Sequence, residues 1–291
     1  EEVTTGQISS NLLLVYGYSG IGKSSLINEL HKPLVRDKGY FISGKFDQFK
    51  RNIPYSSLIQ AFQQLILTLL TEPEEKVTYW KNSILKVLGQ KGQIIIDVIP
   101  ELQNLIGPQL SVPELPPAEN QNRFKRLFLD LINVFAKKSH PLILFLDDLQ
   151  WADLPTLLLL ESILLNPETQ YLLVIGAYRD NEVTEAHPLT LMLNKMEKKK
   201  PVKHIALQPL QFVHINQLLA DTLNTIPDKC KELAAVVSRR TQGNPFFTII
   251  FLQSLYNDNL ISFNNLEGRW EWDTHKISSS GCITDTVIEM M

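Results

Sequence analysis

The sequence predicts an α/β fold in which helices cover an open parallel β-sheet, and three observations carry that prediction. Apolar runs without alternation, as expected of strands buried on both faces, occur at Leu12-Leu13-Leu14-Val15, Leu142-Ile143-Leu144-Phe145-Leu146 and Tyr171-Leu172-Leu173-Val174-Ile175-Gly176-Ala177. Amphipathic stretches separate them, with apolar residues such as Leu58, Ile59, Phe62, Leu65, Ile66 and Leu69 at helical spacing. The first run stops at a glycine-rich loop that leads into the helix-like Ser24 to His31.

That loop, Gly17-Tyr18-Ser19-Gly20-Ile21-Gly22-Lys23-Ser24, fits G-x-x-x-x-G-K-[ST]. A buried strand aims the chain, and glycines let successive N–H groups turn onto phosphate oxygens. The following helix N-terminus adds partial positive charge. Lys23 would reach the β and γ phosphates, and the Ser24 hydroxyl would ligate Mg²⁺. The candidate nucleotide-binding residues are therefore Gly17, Ser19, Gly20, Ile21, Gly22, Lys23, Ser24 and Ser25. The plainer alternative is a glycine-rich turn.

Composition narrows the choices. At 291 residues the chain can hold one large α/β domain and a smaller one. A net charge of −3 gives no global attraction to nucleic acid or anionic lipid, so neither nucleic acid nor membrane is an expected partner. The basic cluster Lys195, Lys198-Lys199-Lys200 and Lys203 reads as a solvated helix end rather than a binding patch. Two distant cysteines, Cys230 and Cys282, indicate neither a disulfide framework nor a zinc site. No apolar run is long enough to span a bilayer, and no signal peptide is visible, so a cytoplasmic setting is the expectation. The chain starts at Glu1 and stops at Met291 after a helical pattern, which reads as a segment of a longer polypeptide.

Taken in order, the helix after the loop is expected to be interrupted or ended by Pro33. Tyr40-Phe41-Ile42-Ser43 reads as a second strand. Helical stretches follow at Tyr55–Leu70, Val77–Leu88, Gln93–Ile106 and Glu119–Lys137, with a proline-marked loop at residues 108–117. This block, about residues 53–138, is an insertion beside the sheet. At the end of the third strand stand Asp147 and Asp148. Ligands of open parallel sheets sit beyond the carboxyl ends of strands, so Asp147 is placed to hold Mg²⁺, mostly through water, and Asp148 to orient or deprotonate an attacking water. Alternatively, two aspartates merely end a strand.

Asp153 before Leu154-Pro155 resembles a helix N-cap. Arg179, after the fourth strand, is either a cation sensing the γ-phosphate or a surface arginine paired with Asp180. Lys203–Leu207 reads as a fifth strand. Gln211–Leu223, Asp228–Thr241 and Pro245–Asp258 are helical, the last entered through Gly243-Asn244-Pro245. Leu260–Phe263 and Arg269–Trp272 flank a hairpin turn.

The set GYSGIGKSSL, LILFLDDLQWAD, LLVIGAYRD and GNPFF resembles the AAA-related signal-transduction ATPases called STAND. More closely, it looks like the ATPase module of large cyanobacterial-type sensor kinases, where that module lies between a serine/threonine kinase domain and GAF or histidine kinase domains. SGKFDQFKRNIPYSSLIQAFQQL and IIIDVIPELQNLIGPQ extend the likeness over nearly the whole chain. The resemblance implies a P-loop core with a five-stranded parallel sheet of order 5-1-4-3-2 over residues 1–208, a helical lid over 209–258, and a truncated winged-helix-like segment over 259–291. It implies that Lys23 and Ser24 are Walker A residues, Asp147 and Asp148 Walker B residues, Arg179 a sensor arginine, and Gly243 and Pro245 the lid motif that approaches adenine.

Members of that family are ATP/ADP switches with slow Mg²⁺-dependent hydrolysis, coupled to other domains of their chain and to nucleotide-dependent self-association. The sequence departs from the family at two points. Only Gly6 and its neighbours stand where a Gly-Arg motif usually precedes the first strand, and Asp148 replaces the usual Glu. Two other functions remain open at this point: a fast mechanical or DNA-associated AAA-type ATPase, and a non-catalytic scaffold.

Overall fold

The computed structural model describes residues 10–36, 39–50 and 53–279. Gly6 and Cys282 lie outside them. The first strand, β1 (Ser10–Tyr16), feeds the loop into α1 (Lys23–Arg36). Pro33 does not end this helix, which runs on to Arg36 and forgoes the one hydrogen bond a proline cannot donate. Then come β2 (Tyr40–Lys45), α2 (Ser56–Leu70) and α3 (Glu74–Leu88). The stretch expected as one helix over Gln93–Ile106 is two short ones, α4 (Gly92–Ile96) and α5 (Leu102–Ile106), because Pro100 disfavours helix at the residue before it.

The long α6 (Pro117–Phe135) leads to β3 (Leu142–Asp147), every residue of which is buried. Next are α7 (Leu154–Leu165), β4 (Leu172–Tyr178), α8 (Pro188–Glu197) and β5 (Lys203–Ala206). Asp153 caps α7: its carboxylate accepts from Thr156 N at 2.8 Å and from Thr156 Oγ1 at 2.6 Å. Two lysines of the basic cluster are held locally, Lys195 against Glu161 at 2.6 Å and Lys200 against the Leu164 carbonyl at 3.2 Å.

The five strands form one parallel sheet in the order β2-β3-β4-β1-β5, the 5-1-4-3-2 arrangement read from the other edge. One large apolar cluster packs against it. Phe62, Phe128, Phe135 and Trp80 from the inserted helices share that cluster with Leu14, Leu144 and Val174 of the central strands. The insertion is thus part of the core, not an appendage.

The chain divides into two compact units. The first holds the sheet and its helices up to Ala206, apart from the loop Gly17–Lys23. The second holds that loop together with everything from Leu207 on: α9 (Phe212–Thr222), α10 (Pro227–Thr241), α11 (Pro245–Asn257), the hairpin β6 (Ile261–Asn264) and β7 (Arg269–Trp272), and α12 (Thr274–Ser279). Its own core gathers Ile215, Leu219, Leu233, Val237, Phe251, Leu255, Ile261 and Ile277. The hairpin pairs antiparallel, Ile261 opposite Trp272.

Candidate nucleotide site

Within the second unit the loop takes a shape that requires its glycines. Gly17, Gly20 and Gly22 have φ of 147°, 74° and 95°, a region that side chains disfavour. Ile21 is buried and anchors the turn. The Lys23 ammonium, also buried, donates to the carbonyls of Gly17 at 2.7 Å and Tyr18 at 2.9 Å.

The same unit brings α11 to that loop. Asn244 caps the helix, its Oδ1 accepting from Phe246 N at 3.0 Å and Phe247 N at 3.3 Å. Its Nδ2 donates to the Ser19 carbonyl at 2.8 Å, and Phe246 N donates to the Gly20 carbonyl at 3.2 Å. A Cβ on Gly20 would stand 2.8 Å from Asn244 Oδ1 and 2.9 Å from the Phe246 Cβ, so only glycine admits this approach. Gly243 is buried and Pro245 half-buried at the first turn. Sequence reasoning named these two and missed Asn244 between them, the residue that touches the loop. Its signal was present as a capping residue directly before proline.

Within the first unit, chemistry gathers at the carboxyl end of the sheet. Ser24 Oγ donates to Asp147 Oδ2 at 2.7 Å, so the hydroxyl and carboxylate expected to share Mg²⁺ are already neighbours. Ser25, one residue on, is exposed. The donor set suits Mg²⁺: two hard oxygens from the protein, the remaining positions left to phosphate and water. Among the described residues no group of three or more His, Cys, Asp or Glu is arranged to hold a metal.

Asp148 is buried and held in the left-handed region at φ 57°. Its backbone N–H donates to Asp147 Oδ1 at 3.0 Å, while its Oδ1 accepts from Gln150 Nε2 at 3.0 Å. Two cations flank it. Lys45 Nζ lies 3.3 Å from Oδ2 and Arg179 Nε 3.8 Å from Oδ1. Lys45 arrives because β2 pairs in register with β3, Lys45 opposite Asp147. Arg179 pairs with Glu182 at 2.8 Å rather than with adjacent Asp180, and its guanidinium covers the Trp151 ring at 5.0 Å. Trp151 Nε1 donates to the same Glu182 at 3.0 Å. Lys45 and Gln150 were not foreseen. Both depend on strand register and a left-handed turn that no local motif announces.

Comparison with known proteins bears on this geometry. The family model described as "AAA ATPase domain" matches residues 1–175. A hybrid signal transduction histidine kinase G of Dictyostelium discoideum is 30% identical over 96% of this chain and 10% of its own length. The peroxide stress-activated histidine kinase mak2 of Schizosaccharomyces pombe is 22% identical over 92% of this chain and 12% of its own. The chain thus spans about a tenth of the length of these curated relatives. Among solved structures, the ORC2 protein of Aeropyrum pernix is 14% identical over 98% of this chain and 66% of that one, at a TM-score of 0.47, too loose a likeness to bear on function.

Proposed function

This chain belongs to the AAA ATPase domain family, and on that premise we propose that it is an ATP/ADP-binding switch module of the STAND kind, with slow Mg²⁺-dependent hydrolysis, inside a larger sensor kinase. In this reading Gly17 to Ser25 wrap the phosphates, and the Lys23 ammonium exchanges the Gly17 and Tyr18 carbonyls for β and γ oxygens. Ser24 and Asp147 would hold Mg²⁺, which would neutralise charge on the phosphates. Asp148 orients the attacking water, Arg179 senses the γ-phosphate, and Gly243 and Pro245 approach the adenine.

One observation carries the slow rate. Both oxygens of Asp148 are engaged, Oδ1 by Gln150 and Arg179, Oδ2 by Lys45. A carboxylate tethered by three side chains has to shift before a water can be aligned on its remaining acceptor positions, which suits a timer better than a motor. The histidine-kinase relatives support placement within a kinase chain; in this reading the nucleotide state sets contact with kinase or GAF domains of that chain or with another copy. Among the described residues no helix is long and apolar enough to cross a membrane. A cytoplasmic setting is part of the same proposal.

The experiment is to identify the nucleotide that copurifies with the protein and to measure turnover with Mg·ATP. Bound ADP or ATP with turnover well below about one per second, the low end of ordinary enzymes, is the expected result. Turnover at or above that rate would replace the switch by a fast mechanical ATPase. Absence of binding to either nucleotide would leave a scaffold.

A further inference from the structure

The amino end of the sheet carries a cavity with a mixed aromatic and charged lining, apart from the residues of the nucleotide reading. Its volume is about 500 Å³, and Tyr40, Glu72, Lys76, Tyr79, Trp80 and His140 line it. Tyr40 opens β2, five residues before Lys45, so the cavity lies roughly 16 Å along the strand from the acidic end. Glu72 follows α2, Lys76, Tyr79 and Trp80 belong to α3, and His140 precedes β3.

The rings stand at steep angles to one another and do not stack. Trp80 meets Tyr40 at 5.8 Å and 74°, Tyr79 at 5.1 Å and 71°, and His140 at 4.9 Å and 70° between centroids and planes. Among them sits one carboxylate. Tyr40 Oη donates to Glu72 Oε1 at 3.3 Å, and Trp80 Nε1 donates to Oε2 at 3.2 Å. Burial first, and then the Glu72 charge, push the Tyr40 hydroxyl well above its usual range, so it remains a donor. These neutral donors orient the carboxylate without cancelling its charge.

The counter-charge is loose. Lys76 Nζ is 3.7 Å from Oε1 on a side chain 64% exposed, whereas that of Glu72 is only 19% exposed. An exposed pair of this kind contributes little. Ring faces and a carboxylate both attract positive charge, and each carboxylate oxygen keeps further acceptor capacity. A neutral apolar guest would instead strip water from Glu72 without replacing it.

We propose that this cavity binds a small organic cation carrying N–H donors, of the alkylguanidinium or alkylammonium class, with Glu72 as its acceptor, the rings as its walls, and Lys76 as the group it displaces.

The test uses the whole chain, ¹⁵N-labelled, titrated with methylguanidinium and with methylurea, its neutral isostere. The readout is the Trp80 indole N–H resonance, assigned with Trp80→Phe. Methylguanidinium should move that resonance saturably and methylurea should not. Glu72→Gln should abolish the response. Lys76→Ala, a surface change that spares the fold, should lower the midpoint about two- to five-fold, the range an exposed pair supports. The proposal is overturned if methylurea titrates like methylguanidinium, if Glu72→Gln responds like the parent, or if Lys76→Ala leaves the midpoint unchanged.

Discussion

The glycine loop and the acidic end of β3 are held by different kinds of contact. In the loop the acceptors are main-chain carbonyls: Gly17 and Tyr18 for Lys23, Ser19 for Asn244, Gly20 for Phe246 N. At the end of β3 the contacts are between side chains: Ser24 on Asp147, and Lys45 and Arg179 on Asp148, all distant in sequence, together with the near neighbour Gln150 on Asp148. The difference teaches where function is encoded. A loop built on backbone geometry needs glycines at set places and tolerates little else. A charge cluster needs only that the register deliver the right groups, so its members can change singly and tune a rate.

That contrast can be broken from either side, beginning with the largest effect. Asp148→Asn should leave Mg·ATP binding nearly intact while hydrolysis falls about 10²- to 10⁴-fold, the range for losing a general base; single-turnover assays with radiolabelled ATP decide it. Retention of the parent rate would remove Asp148 from the water-activating role. Asp147→Asn should weaken the proposed metal position, so magnesium should enhance ATP affinity roughly 10- to 100-fold less than in the parent, the range for losing an outer-shell partner of a metal. Titrations with and without chelator measure this.

Asn244→Ala removes a cap and a bond to the loop together. Urea unfolding of the second unit should show a loss of ~1–2 kcal/mol. A change confined to experimental error would mean that the loop keeps its shape without the helix. The smallest effect belongs to Lys45→Met. Its exposed ammonium contributes little to stability, but its removal frees Asp148 Oδ2, and hydrolysis should rise about two- to five-fold. An unchanged rate would show that the tether does not restrain the carboxylate.

Much of this is legible in the sequence. The buried strands and the loop announce themselves through local pattern: Leu142 to Leu146 are apolar without alternation because β3 is covered on both faces, and Gly17, Gly20 and Gly22 stand where φ is positive. Ser24 and Asp147, 123 residues apart, could be paired in advance only because the two motifs occur together. Lys45 was not legible, since a lysine ending a strand looks like any surface residue until the register of β2 on β3 is known. Asn244 was half legible. Its capping role follows from Gly-Asn-Pro, but its reach to Ser19 spans 225 positions. Arg179 could be placed at a strand end, while its choice of Glu182 over Asp180 comes from the short turn after β4.

The central claim is that the loop lysine faces triphosphate oxygens. Calorimetric titration of Mg·ATP into the parent protein and into Lys23→Ala tests it most directly. One saturable site in the parent, weakened about 100-fold or more in the variant, is the predicted result, in keeping with the loss of a charge-assisted contact. Equal affinity in the two proteins would contradict it.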